Sequence, residues 1–202
     1  MRLFWTSVLL ALVVLSGCSV LPEAAELDVY SLPAEEVQSH KAGHRLTKTL
    51  RVNKPVASPL LDSSHIVVVP ETHRISVYKG ARWSDRAPAL LRDRLIEALR
   101  HRDMLAAVVG DDTQASVDLV LAGELRAFQS EYREGRPVVR IRVQASLLHG
   151  DGRRILASRG FEVVEPARTD EVRAVVDAFG LAGDQLSSEV ASWLFAEMQK
   201  VR

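Results

Sequence analysis

Few side chains in this sequence are spaced to do chemistry, and the clearest case is a thiol. Cys18 is the single cysteine and follows Leu15, Ser16 and Gly17, so a nucleophile stands directly behind small residues of the kind a signal-peptidase cleft admits. One thiol leaves no intramolecular disulfide and no CxxC redox or zinc pattern. His40 and His44 have i, i+4 spacing, which suits a metal only on a helix with a third ligand nearby. Gly43 and the want of that ligand argue against it, and neither a metal nor a cofactor is expected. Ser63-Ser64-His65 and Ser130-Glu131 lack the nucleophile-elbow context that hydrolysis needs and read as loop residues. Asp111-Asp112 has the composition of an acid/base pair, but adjacent acids between two elements read as a solvated turn. Arg140 and Arg142, with Arg126 beside them, could meet phosphate headgroups; the competing reading is a salt-bridged sheet face. Tyr78 and Trp83 make an aromatic pair in a loop before a helix. They read either as an anchor for a partner or a lipid chain or, for Trp83, as a ring closing the end of the core. A catalyst is not expected from this set.

The elements around Cys18 give its thiol a purpose. Arg2 is a minimal positive n-region, and residues 3–15 are a mostly apolar run that fits a signal-peptide core and is too short for a bilayer, which needs roughly 20 such residues. Leu15-Ser16-Gly17-Cys18 resembles the lipobox of bacterial lipoproteins. That resemblance implies diacylglyceryl transfer to the Cys18 thiol and cleavage before it, so residues 1–17 are leader and residues 18–26, which carry Pro22 and acids, are an acylated tether. More than one acyl chain makes membrane attachment effectively permanent. By resemblance to enterobacterial lipoproteins, Ser19 in place of Asp implies sorting to the periplasmic leaflet of the outer membrane, the alternative being the periplasmic face of the inner membrane.

The chain of 202 residues is 47% hydrophobic and 26% charged, the composition of one ordinary domain with a core. Cations and anions are both 26. Removing a leader whose one charged residue is Arg2 leaves 25 against 26, so nothing electrostatic points to nucleic acid. No GxxxxGK[ST] phosphate loop is present.

For residues 27–202 the patterns predict one α+β domain with a mixed or antiparallel sheet. Short strands are expected at 27–32 and 49–53. The β-branched run from His65 to Val69 reads as a central strand ended by Pro70. Ser84-Asp85 would cap a helix over 87–102, with Leu91, Leu95, Ala98 and Leu99 inward and Arg92, Arg94 and Arg100 in water. Residues 117–165 read as a three-stranded meander. Within it Val139, Ile141, Val143, Ala145 and Leu147 face the core, and the turns are at Glu134-Gly135 and Gly150-Asp151-Gly152. From Thr169 or Asp170 a long amphipathic helix packs on the sheet, with Gly180 and Gly183 inviting a bend.

Residues spread along the chain carry a resemblance. Tyr30-Ser31-Leu32 behind the lipobox, Leu50-Arg51-Val52, Leu61-Asp62, Ile66 to Val69, Tyr78, Arg82-Trp83, Pro88, Leu90-Leu91, Phe128 and the C-terminal helix together resemble the ABC-type transport auxiliary lipoprotein family. That family includes the PqiC-like lipoproteins that accompany MCE-domain lipid transport systems. The resemblance covers roughly residues 27–195 and implies a non-catalytic periplasmic accessory, partnered by an MCE-domain protein with its ABC permease and ATPase, and self-associating. The alternative is an envelope assembly lipoprotein that escorts or plugs an outer-membrane β-barrel.

Overall fold

The computed structural model describes residues 27–34 and 45–200. Nine strands and two helices follow in chain order: β1 (Asp28–Tyr30), β2 (Leu46–Val52), β3 (Val56–Ala57), β4 (His65–Glu71), β5 (Arg74–Trp83), α1 (Ala87–His101), β6 (Leu105–Gly110), β7 (Leu119–Arg133), β8 (Arg136–His149), β9 (Ile155–Pro166) and α2 (Val172–Met198). They form one mixed sheet with both helices on one face, a single α+β domain as the patterns predict.

The sheet is organised on β7. Along one edge it takes three parallel partners in succession: β2 at Leu119–Leu121, β3 at Glu124–Leu125 and β4 at Gln129–Glu131. Its other edge pairs antiparallel with β8, which pairs with β9. β5 extends the sheet beyond β4, β1 lies parallel to β5, and β6 lies parallel to β2. The β7–β8 turn uses Glu134 at φ 51° and Gly135 at φ 76°, the paired left-handed residues that a tight hairpin turn demands. Val139, Ile141, Val143, Ala145 and Leu147 are all buried, against α2.

Several elements depart from the expectation, each for a physical reason. β5 and β6 were not foreseen. β5 is mostly exposed, and Gly80 at φ 69° breaks its alternation; β6 has two exposed alanines inside a short run. Pro70 sits within β4 rather than ending it, at a register shift between Val68 and Glu71, where a missing N–H costs no ladder bond. Neither helix has the expected cap: Arg86 and Glu171 are the N-cap residues, without side-chain cap bonds. Asp85 instead accepts from the Arg86 N–H at 2.6 Å.

Arg94 is the largest correction. It is 6% exposed, and its guanidinium pairs with Asp184 of α2 and, at 2.8 Å, with Glu97. Position 94 is i+3 from Leu91 and i−4 from Ala98, so it falls on the buried stripe. Pairing makes burial of the charge tolerable there.

α2 runs unbroken past both glycines. A Cβ at Gly180 would lie 2.9 Å from the Pro33 Cβ and 3.0 Å from its carbonyl oxygen, whereas one at Gly183 would meet Leu32 at 3.7 Å. Gly180 therefore admits the segment after β1, which crosses α2 there. At the same end of the core Trp83, 1% exposed, packs edge-on to Phe179 at 5.1 Å and to Phe128 at 5.8 Å.

Urea denaturation separates these roles. Gly183→Ala should stabilise by up to about 1 kcal/mol through helix propensity, while Gly180→Ala should destabilise by about 1 kcal/mol or more because Pro33 must move. Equal stabilisation by both would remove the crossing from the account. Trp83→Ala should cost about 3–5 kcal/mol; a cost below about 1 kcal/mol would place the ring outside the core.

Candidate functional site

Cys18, Ser19, His40 and His44 lie outside the described residues. What the structure shows is how the chain behind Cys18 is fastened to the body. In the β1–β5 pairing Asp28, Val29 and Tyr30 sit beside Ala81, Arg82 and Trp83. The Ser84 N–H donates to the Tyr30 carbonyl at 2.7 Å, extending the ladder to the brink of α1. Leu32 and Pro33 then cross α2 at Gly183 and Gly180, with the Arg94 Cγ 4.0 Å from the position of a Gly183 Cβ. Strand, crossing and helix pair thus meet at one place, and the Arg94–Asp184 pair lies beneath it.

The aromatic pair does not act as a pair. Trp83 belongs to the core, and its ring has almost no surface to offer a partner, so of its two readings the ring that closes the end of the core holds and the exposed anchor does not. β5 is also a strand, not a loop. Tyr78 is half-buried, and its hydroxyl donates to the Ser130 Oγ at 3.2 Å. Burial raises the phenol's pKa, partly opposed by the bond to Ser130 and reinforced by Tyr132 and Asp170.

The remaining polar candidates are occupied structurally. Glu131 accepts from Arg140 at 2.8 Å, and Glu162 joins Arg140 to Arg142, the latter contact at 2.9 Å. Arg126 pairs with Glu124 at 3.0 Å. The outer sheet face is therefore the salt-bridged ladder rather than a set of free cations. Asp111 bridges Arg92 at 2.6 Å and the Lys54 N–H at 3.0 Å. Burial opposes its ionisation, but those two donors outweigh it and hold its pKa below the usual carboxylate value. Ser63 donates to the Leu60 carbonyl at 2.6 Å. Ser130 and Glu131 lie within β7, not in a loop. Among the described residues no three His, Cys, Asp or Glu side chains group to hold a metal, and no helix is long and apolar enough to cross a membrane.

Clefts open at several places on the surface of the described residues. One of about 330 Å³ opens between Pro33, Arg168, Asp177, Leu181 and Asp184. A second of about 450 Å³ lies between α1 and the end of β6, bordered by Arg92, Asp93, Glu97, Arg100, His101 and Asp112. The third is a slot of about 20 Å³ among Leu95, Leu121, Val143, Leu186 and Val190. The cleft beside α1 is rimmed by charge, the one beside Pro33 is mixed, and the most apolar one is narrow. Sequence reasoning missed the Arg94–Asp184 pair. Its signal was the helical phase of Arg94, overridden by the habit of placing arginine in water.

A crystal structure of a Xanthomonas campestris protein of family DUF330 is 31% identical, with a TM-score of 0.77 over 85% of this chain and 97% of that one. A hypothetical protein of Chlamydia trachomatis shares the fold at 9% identity, with a TM-score of 0.51 over 75% of this chain and 98% of that one. An uncharacterised protein of Bradyrhizobium diazoefficiens is 25% identical over 152 residues, 75% of this chain; the chain spans 41% of that relative's length. The family described as ABC-type transport auxiliary lipoprotein component matches residues 30–191, and this chain belongs to it.

Proposed function

We propose that this protein is the lipid-anchored, non-catalytic accessory of an MCE/ABC-type envelope lipid transport system, holding the assembly at the periplasmic face of the outer membrane. The family match over residues 30–191, standing behind Leu15-Ser16-Gly17-Cys18, carries this reading. Residues 1–17 are removed, Cys18 takes the acyl chains, Ser19 directs sorting to the outer membrane, residues 18–26 form the tether, and residues 27–202 form the domain. Its partners are an MCE-domain protein with its permease and ATPase, and further copies of itself.

The clefts favour holding over ferrying. Pockets that enclose a small molecule are mostly apolar and run from about 300 to 1,000 Å³. Here the cleft beside α1 is bordered by charge, the one beside Pro33 mixes Ala174, Ala178 and Leu181 with Arg168, Asp177 and Asp184, and the most apolar slot is about 20 Å³. This supports a mechanical role: a body fixed to one membrane, whose folded surface contacts the transporter.

Reversible amine crosslinking in host cells, followed by purification of the full lipidated protein and mass spectrometry, tests the partnership. An MCE-domain protein should be recovered; absence of every MCE protein of the host, or recovery of a β-barrel in their place, would overturn it. Membrane fractionation tests the placement. The native protein should band with the outer membrane, and Cys18→Ser should be lost from it and keep residues 1–17.

A further inference from the structure

We infer that one end of the domain, formed by the β4–β5 and β7–β8 turns, rests on the phospholipid leaflet that holds the anchor. The inference builds on the proposed lipidation of Cys18 and adds a second, non-covalent contact to it.

Chain direction carries the argument. β1 is parallel to β5, and β5 begins at Arg74, directly after the β4–β5 turn. The N-terminal end of β1, from which the tether departs, therefore points toward that turn. β4 is parallel to β7, with Val69 beside Glu131, so the β7–β8 turn at Glu134-Gly135 lies at the same end. From Asp28, beside Ala81, back to Arg74 is roughly 23 Å at the rise of a strand. The residues from Cys18 to Leu27 reach at most roughly 30 Å. A tether leaving in this direction brings the turns down to the surface in which its acyl chains are buried, with little length to spare.

The side chains at this end suit that surface. Ile75 is 58% exposed beside one turn, and Tyr132 is 36% exposed beside the other. Leu27 and Val29, at 48% and 53%, line the exit of the tether. Tyrosine partitions to the level of lipid headgroups. Arg74, paired with Glu71, adjoins Ile75, and Arg133, paired with Glu131, flanks the Tyr132 turn together with Arg136; their stems can lie along acyl chains, and Arg136, with no carboxylate partner among the described residues, can reach phosphates. Carboxylates at this end, Glu71, Glu131, Glu134, Asp170 and Glu171, offset the cations there. The contact therefore rests on apolar insertion beside the anchor more than on net charge. The β8–β9 turn, at the far end of the fifteen-residue β7, stands roughly 45 Å away along the strands.

Because native Cys18 is consumed by lipid, an introduced cysteine is the one free thiol. Ile75→Cys, Tyr132→Cys and, as the far-end control, Arg153→Cys, each in the full lipidated protein, are labelled with an environment-sensitive dye. They are reconstituted in vesicles of phosphatidylethanolamine and phosphatidylglycerol, with and without headgroup-level nitroxide lipid. Quenching at 75 and 132 should exceed that at 153 by about twofold or more, as for a face seated in the headgroup region. Equal quenching at all three, greater quenching at 153, or none at 75 and 132 would overturn the orientation. A blue-shifted but unquenched dye at 75 or 132 would mark a protein contact instead and also overturn it. Vesicle flotation and the intact mass are read on the same samples. Protein that floats and carries acyl mass yet shows no quenching refutes the orientation alone, whereas protein that neither floats nor carries acyl mass refutes the lipid anchor and the orientation with it.

Discussion

β7 must pair along both of its edges, and the rest of the fold follows from that requirement. Its fifteen residues receive β2, β3 and β4 in turn on one side and the whole of β8 on the other. The register shift between Leu125 and Ala127 re-aims the strand where β3 gives way to β4. Parallel partners drawn from residues 46–71 mean that segments distant in sequence close onto one strand, and each must present apolar side chains toward the helices. Leu50, Val52, Ile66, Leu121, Leu125 and Phe128 do so, and all are buried.

That scaffold explains how a tethered terminus can be held. β1 adds to the edge of β5 by backbone bonds, and the chain then crosses α2 where Gly180 leaves room for Pro33. A pull on the N-terminus is therefore taken up first by a ladder and then by a close-packed crossing. Both abut the cluster of Trp83, Phe128 and Phe179. Beneath the crossing, Arg94 and Asp184 tie α1 to α2, so the two helices and the terminus form one mechanical unit. A protein whose task is to hold a position gains from this arrangement. Its charged side chains are spent on fastening elements to one another, as in Arg92–Asp111, Arg140–Glu162 and Arg86–Asp62.

Much of the fold was legible in the residues themselves. The meander and its turns announce themselves through the strict alternation from Val139 to Leu147 and the Glu134-Gly135 pair, because a half-buried antiparallel strand has period two and its turn demands left-handed residues. Both helices follow from their apolar stripes. β5 was hidden because an edge-side strand whose residues are mostly in water carries no apolar alternation, and Gly80 resets what alternation there is. The parallel attachment of β2, β3 and β4 to β7 leaves no local trace at all. Trp83 illustrates a second limit: a large aromatic before a helix reads as core or as an anchor, and its three-dimensional neighbours decide. Gly180 looked like a weakness in a helix because the cause, Pro33, is far away in sequence. The proposed membrane attachment is the reverse case: its signal is Leu15 to Cys18, independent of the fold.

Without that attachment the domain holds no position at the membrane. Mass spectrometry of the N-terminal peptide of the protein isolated from its host's envelope measures it directly. The prediction is a chain that begins at Cys18, carries diacylglyceryl on the thiol and continues with Ser19. An unmodified Cys18 inside a longer N-terminal peptide, or a chain that begins elsewhere without lipid, would contradict it.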